Sequence, residues 1–275
     1  MNSTQVQTLL TGLAMGESPR WHDRRLWLCD WGAQQIVAVD PDGAAEVMVE
    51  GNFGLPFCID WLPDGRLLIV SGRKNVLLRR EEDGSLATHA DLAVVSDRGW
   101  NEIVVDGRGN IYVNGGQGVI VLVASDTSVR QVADKIAFPN GMAVTADNRT
   151  LIIAESHGRC LTAFTIELDG TLTNRRVWAA LDGYPDGIYI DSENMIWYSD
   201  VPNKRCVRVR EGGEVVQNVN IDRGCFACML GGNDNRTLFL VANEWQGMEN
   251  IDAVAQQRTG RVFSVGAPSK HAGGP

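Results

Sequence analysis

The chain has 275 residues, 25 Lys+Arg against 34 Asp+Glu, a formal charge of −9 and 44% hydrophobic residues. An acidic balance without a Lys/Arg-rich run argues against nucleic acid or an anionic membrane surface as a partner. The longest apolar run, Val119 to Ala124, is far too short to span a bilayer, and the length is ample for a core that needs no disulfide or structural metal.

Before Arg20 there is neither a Lys or Arg nor a sustained apolar stretch, so no secretory signal is expected and the chain reads as cytoplasmic. Six cysteines (Cys29, Cys58, Cys160, Cys206, Cys225 and Cys228) are too sparse for a disulfide scaffold. Cys225 and Cys228 form a C-x-x-C without a second pair or neighbouring histidines, and read as buried thiols.

In chain order one pattern recurs: a short apolar strand, a turn rich in Asp, Asn and Gly, then a strand opening with Leu or Ile. The copies are ESPRWHDRRLWLCD, CIDWLPDGRLLIV, EIVVDGRGNIYVN, MAVTADNRTLIIAE, IYIDSENMIWYSD and CMLGGNDNRTLFLVA. Their second strands open at Leu26, Leu67, Ile111, Leu151, Ile196 and Leu238, at steps of 40 to 45 residues. Each copy is a β-hairpin signal, and the segments between copies supply two further strands each. Four strands per unit at this period predict an all-β, six-bladed β-propeller with a central channel, a single domain over residues 1–275. The stretch Gly260–Val265 is expected to complete a blade begun near the N-terminus. No long window shows helical periodicity. The Asn-Arg-Thr tripeptides at 148 and 235 read as hairpin turns, His22 as a turn residue, His89 as part of an outer strand and His271 as part of a frayed tail. His157 falls in a loop that can face the site.

Equivalent offsets in a propeller point at a common axis. Glu17, Asn101, Asn140 and Asp186 stand 9, 10, 11 and 10 residues before their landmarks, and all four carry side-chain oxygen. The corresponding segments of blades two and six, around Phe57-Cys58 and Phe226-Ala227, are apolar. Two carboxylates and two carboxamides suit a divalent cation with hard-donor preference: Ca²⁺ first, with Mg²⁺ and Mn²⁺ close behind and Zn²⁺ or Fe²⁺ as alternatives.

At these residues the sequence resembles the regucalcin/gluconolactonase family of six-bladed propellers, the senescence-marker-protein-like lactonases, across nearly its whole length. The matching words are Gly16-Glu17-Ser18-Pro19-Arg20-Trp21, Trp100-Asn101-Glu102 with Asp106, Pro139-Asn140-Gly141-Met142, and Pro185-Asp186-Gly187 with Asp191. The resemblance implies one divalent metal ion held by Glu17, Asn140 and Asp186, with Asn101 as a further ligand or substrate contact. It also implies a hydrolase that opens a small-molecule lactone, a sugar (aldono-)lactone such as gluconolactone first. Asp186 is then the candidate general base, or a ligand only, and Asn101, Trp100 and Arg98 are the candidate substrate contacts. Phosphotriester hydrolysis on the same metal and a non-catalytic calcium-binding propeller are the alternatives; a monomer is expected, with a dimer as the alternative. The chain departs from the family pattern in carrying Glu102 after Asn101, in placing Arg98 one residue further back than usual, and in running from Gly115-Gly116-Gln117-Gly118 straight into Val119. Trp31, Phe53, Trp100 and Trp245 fall near blade junctions, leaving an aromatic or aliphatic lactone open beside a sugar.

Overall fold

The computed structural model describes residues 5–115 and 117–273. Gly116, in the Gly115–Gly118 turn singled out above, lies outside them.

The strands run in chain order as β1 (Gln7–Leu13), β2 (Gly16–His22), β3 (Arg25–Asp30), β4 (Gln35–Val39), β5 (Ala45–Glu50), β6 (Phe57–Trp61), β7 (Leu67–Ser71), β8 (Val76–Arg80) and β9 (Leu86–Asp91). They continue as β10 (Trp100–Val105), β11 (Ile111–Gly115), β12 (Val119–Val123), β13 (Val129–Ala133), β14 (Pro139–Val144), β15 (Thr150–Glu155), β16 (Cys160–Ile166) and β17 (Leu172–Ala180). The last are β18 (Pro185–Ile190), β19 (Ile196–Asp200), β20 (Arg205–Val209), β21 (Val215–Asn220), β22 (Gly224–Gly231), β23 (Thr237–Asn243) and β24 (Gly260–Gly266). They form six four-stranded sheets, five of them of consecutive strands and the sixth ordered β1-β24-β23-β22. This is a six-bladed β-propeller, the fold that the repeat predicts.

By contact the chain divides into two compact units, Met1–Asn52 with Asp182–Ala272, and Phe53–Leu181 with Gly273–Pro275. The first holds sheets β2–β5 and β18–β21 and the sheet that joins β1 to the C-terminal strands. The second holds β6–β9, β10–β13 and β14–β17. The second strands are buried on both faces, as in Leu67–Ser71 and Ile196–Asp200, which explains why they read as continuous apolar runs. In the first unit Leu26, Leu28, Val37, Met229, Phe239 and Val262 share one cluster; in the second, Tyr112, Ile120, Leu122, Leu151 and Ile153 share another.

The turns have a common chemistry. An Asp carboxylate accepts the backbone N–H two residues on at Asp64 (from Arg66, 3.1 Å), Asp83 (from Ser85, 2.9 Å), Asp126 (from Ser128, 3.0 Å) and Asp169 (from Thr171, 2.9 Å). These bonds, with the Ser or Thr hydroxyl, hold the carboxyls of Asp83, Asp126 and Asp169 below their ordinary range. Asn148 and Asn235 take left-handed φ values of 56° and 58°, so both Asn-Arg-Thr tripeptides are indeed turns.

Two expectations need revision. His22 is the last residue of β2, not a turn residue. His271 is no frayed tail: its backbone bridges to Asp191 and its ring centroid lies 5.2 Å from that of Tyr189. The link from β23 to β24 contains a short helix, α1 (Ile251–Gln257), whose Val254 is buried. Two turns are too short to register as periodicity in a long window.

Candidate functional site

Glu17, Asn101, Asn140 and Asp186 are each the second residue of the first strand of their sheet, in β2, β10, β14 and β18. Asn101, Asn140 and Asp186 lie within an irregularity of pairing, and Glu17 stands directly before one. Between Glu17 and Arg20, Trp100 and Ile103, Pro139 and Met142, and Pro185 and Ile188, the first strand carries one more residue than its partner. That is a β-bulge, a device that re-aims side chains and frees backbone groups at functional sites. β6, whose equivalent residues are Phe57 and Cys58, pairs without a break. β22 is bulged between Cys225 and Ala227 but places Phe226 there. Bulge and oxygen-bearing side chain thus coincide in four sheets of six.

Behind the bulges lies a second repeated device. A polar side chain near the end of the second strand reaches back to the segment leading into the first. Asp30 accepts the N–H groups of Ala14 (3.0 Å) and Met15 (2.8 Å), just ahead of Glu17. Glu155 accepts the N–H of Ala137 at 2.7 Å, ahead of Asn140. Asp200 accepts the N–H of Tyr184 at 3.4 Å, ahead of Asp186, and is held by Asn203 Nδ2 (2.9 Å) and Arg205 Nε (2.9 Å). Ser71 donates to the carbonyl of Phe53 in the same way; Asn243 instead reaches the neighbouring sheet, donating to the carbonyl of Ala14 ahead of β2. These clamps have a signal in the sequence that the motif reading passed over: the words LCD, IVS, IAE and YSD all end on a polar residue at one place in the repeat.

Within the second unit the structure brings Asn101 and Asn140 together. Asn101 Nδ2 donates to the carbonyl of Pro139 at 3.4 Å, and Asn114 Nδ2 to that of Asn140 at 2.6 Å. Asn140 Nδ2 points to Ser156 Oγ at 3.4 Å, which leaves its Oδ1 as the atom to offer a cation. Glu102 is buried and accepts the N–H of Ile103 at 2.9 Å, a structural role. Arg98 is exposed and reaches Gln117 Oε1. Trp100, expected to meet substrate, is 1% exposed, and its indole Nε1 has no hydrogen-bond partner among the described residues.

Within the first unit Glu17 is buried, its Oε2 accepting the N–H of Ser18 at 2.9 Å, and Asp186 is half-buried. Gly187 lets β18 approach β22: a Cβ there would lie 2.7 Å from Ala227 Cα and 3.0 Å from the Phe226 carbonyl. Asp106 and Asp191, which belong to the matching words, serve their turns. Asp106 accepts from the N–H groups of Arg108 and Asn110, both at 2.9 Å. Asp191 binds Arg208 Nε at 2.7 Å and Ser269 Oγ at 2.6 Å.

Among the described residues no group of three or more His, Cys, Asp or Glu is placed to hold a metal. The expected ligands Glu17, Asn140 and Asp186 include only two carboxylates and so fall outside that type, the third donor being a carboxamide oxygen. Such hard oxygen donors with charge −2 fit a divalent cation. The six cysteines are free thiols, with Cys225 and Cys228 buried as expected.

Residues 15–244 match the model of the SMP-30/Gluconolactonase/LRE-like region. Regucalcin of Xenopus laevis is 25% identical over 96% of this chain and 95% of its own length. Pentonolactonase XacC of Haloferax volcanii is 26% identical over 70% of this chain and 69% of its own. Among solved structures, a luciferin-regenerating enzyme superposes with a TM-score of 0.82 at 18% identity, covering 98% of both chains. With the model matching most of its length, the chain belongs to the SMP-30/gluconolactonase/LRE-like family.

Proposed function

We propose that this protein is a metal-dependent lactonase in which Glu17, Asn140 and Asp186 hold one divalent cation, Ca²⁺ first. The observation that carries the reading is the shared placement of Glu17, Asn101, Asn140 and Asp186 at the second position of a first strand, within its bulge or, for Glu17, directly before it. Family membership and the name of the pentonolactonase relative support a lactone as substrate, an aldonolactone first. When bound, the cation supplies Lewis-acid polarisation of the lactone carbonyl.

The protein's residues do the rest. Asp186 takes a proton from water as the water oxygen bonds to the carbonyl carbon. When the ring C–O bond breaks, the same carboxyl returns that proton to the departing alkoxide, and the product is a hydroxy acid. Asn101 orients the ring oxygens through its carboxamide, and exposed Arg98 meets the polar rim of the substrate. Glu17 supplies the second negative charge. The clamps from Asp30, Glu155 and Asp200 fix the backbone on which these groups stand, so little reorganisation is left for the reaction itself.

The test is proton release from gluconolactone, a pentonolactone and an aryl lactone after chelation and after return of each metal separately. Turnover restored by metal, and lost at least a thousandfold in Asp186→Ala with an unchanged melting temperature, is the expected result. Full turnover in a folded Asp186→Ala protein overturns the reading. Metal binding without any lactone hydrolysis would favour a calcium-binding propeller, and paraoxon hydrolysis alone a phosphotriesterase.

A further inference from the structure

Two aromatic side chains stand in solvent among the described residues, Phe138 at 52% exposure and Tyr184 at 44%. The other six phenylalanines are between 0% and 6% exposed. Phe138 lies two residues before Asn140, and Tyr184 two residues before Asp186. The exposed aromatics therefore share one offset in the repeat, directly ahead of a proposed metal ligand.

Phe138 carries a further cost. Its φ is 62°, a left-handed conformation that a bulky side chain rarely adopts. The neighbouring chain imposes it. The N–H of Ser156 donates to the Phe138 carbonyl at 3.1 Å, that of His157 to the Ala137 carbonyl at 3.2 Å, and Ala137 N–H is taken by Glu155. The ring is then stacked on exposed His157, with centroids 4.4 Å apart and planes 26° from parallel. Next to His157 is Ser156, whose Oγ meets the Asn140 carboxamide. A strained, solvated aromatic pair one residue from a ligand's own partner has no packing purpose, and strain held in place by its surroundings marks function.

We propose that Phe138, stacked on His157, is a specificity element of the site, and that Tyr184 serves likewise beside Asp186. The Phe138–His157 stack extends the substrate range from aldonolactones to lactones that carry an aromatic ring. A flat apolar face lies against Phe138 in an offset stack and displaces water from it, a gain that a small hydroxylated ring cannot match. The inference rests on the lactonase reading for its catalytic arm only.

The experiment compares dihydrocoumarin with gluconolactone in wild type, Phe138→Gly and Tyr184→Ala. Glycine adopts positive φ freely, so Phe138→Gly removes the ring and the strain at once and folds at least as stably as wild type. The expected result is a loss of about fivefold to tenfold in kcat/KM for dihydrocoumarin with less than a twofold change for gluconolactone, the size of one aromatic pair. A change common to both substrates would indicate displacement of Asn140 and would overturn the proposal, as would an unchanged ratio. In parallel, ring resonances of His157 are followed by NMR while the unreactive lactam 3,4-dihydroquinolin-2-one is added. Shifts in wild type that vanish in Phe138→Gly support the aromatic pair even if no lactone is hydrolysed; their absence overturns it.

Discussion

Glu155 accepts the backbone N–H of Ala137 at 2.7 Å, three residues ahead of Asn140, and so ties the end of one strand to the start of its neighbour. The same carboxylate takes the Thr162 hydroxyl at 2.6 Å and the Arg175 guanidinium at 2.9 Å, while its side chain is 6% exposed. Replacing it strands a backbone donor and a hydroxyl in a buried place. Glu155→Ala is expected to cost about 3 kcal/mol in urea unfolding and to lower activity as Asn140 loses its fixed backbone. A loss under about 0.5 kcal/mol would show that the carboxylate is not a clamp.

Gly187 makes a different demand, for space. A Cβ at this position meets backbone atoms of Ala227 and Phe226, which cannot swing aside as a flexible side chain would. Gly187→Ala is expected to push β18 away from β22, lowering the melting temperature by several degrees, about 2 kcal/mol, and turnover with it through adjacent Asp186.

Acid should weaken the fold through His271. Burial holds this imidazole below its ordinary pKa of 6.5, so the unfolded chain binds the proton more readily than the folded one. Stability is therefore complete above about pH 6.5 and falls as the pH is lowered towards the folded-state pKa. His22 and His89 are shifted in the same direction, chiefly by burial, and contribute alongside. His271→Phe keeps a ring against Tyr189 and should flatten part of the fall between pH 6.5 and 5, measured by urea midpoints; an unchanged slope would remove His271 from the account.

The thiols should divide by position. Cys160 is part-exposed, and burial together with nearby Glu155 raises its pKa, whereas the other five are buried. A chromogenic disulfide reagent is expected to label one thiol slowly in the native protein and six in denaturant. Fast native labelling of two or more would contradict the burial described for β22.

Much of this architecture was legible in the sequence because its signals are local. The residues opening the second strands, Leu26 to Leu238, fall at or next to the first residue of β3, β7, β11, β15, β19 and β23. The matched offsets of Glu17, Asn101, Asn140 and Asp186 correspond to one strand position. What stayed hidden depends on backbone geometry. Trp100 reads as a pocket aromatic until the fold turns it inward, and the bulge that sets Asn140 leaves no mark in composition. The φ of Phe138 is likewise imposed by hydrogen bonds from residues 18 and 19 positions later.

The pairing of β1 with β24 has a consequence for how the molecule is made. Gln7 lies opposite Ser264, so of the propeller's strands β1 is made before the rest and waits for β24. Until then β24's place beside β1 is empty and a row of backbone donors and acceptors stays unpaired, open to another chain. Contacts of such sequence separation form slowly, and nascent or C-terminally shortened chains are the forms most exposed to aggregation.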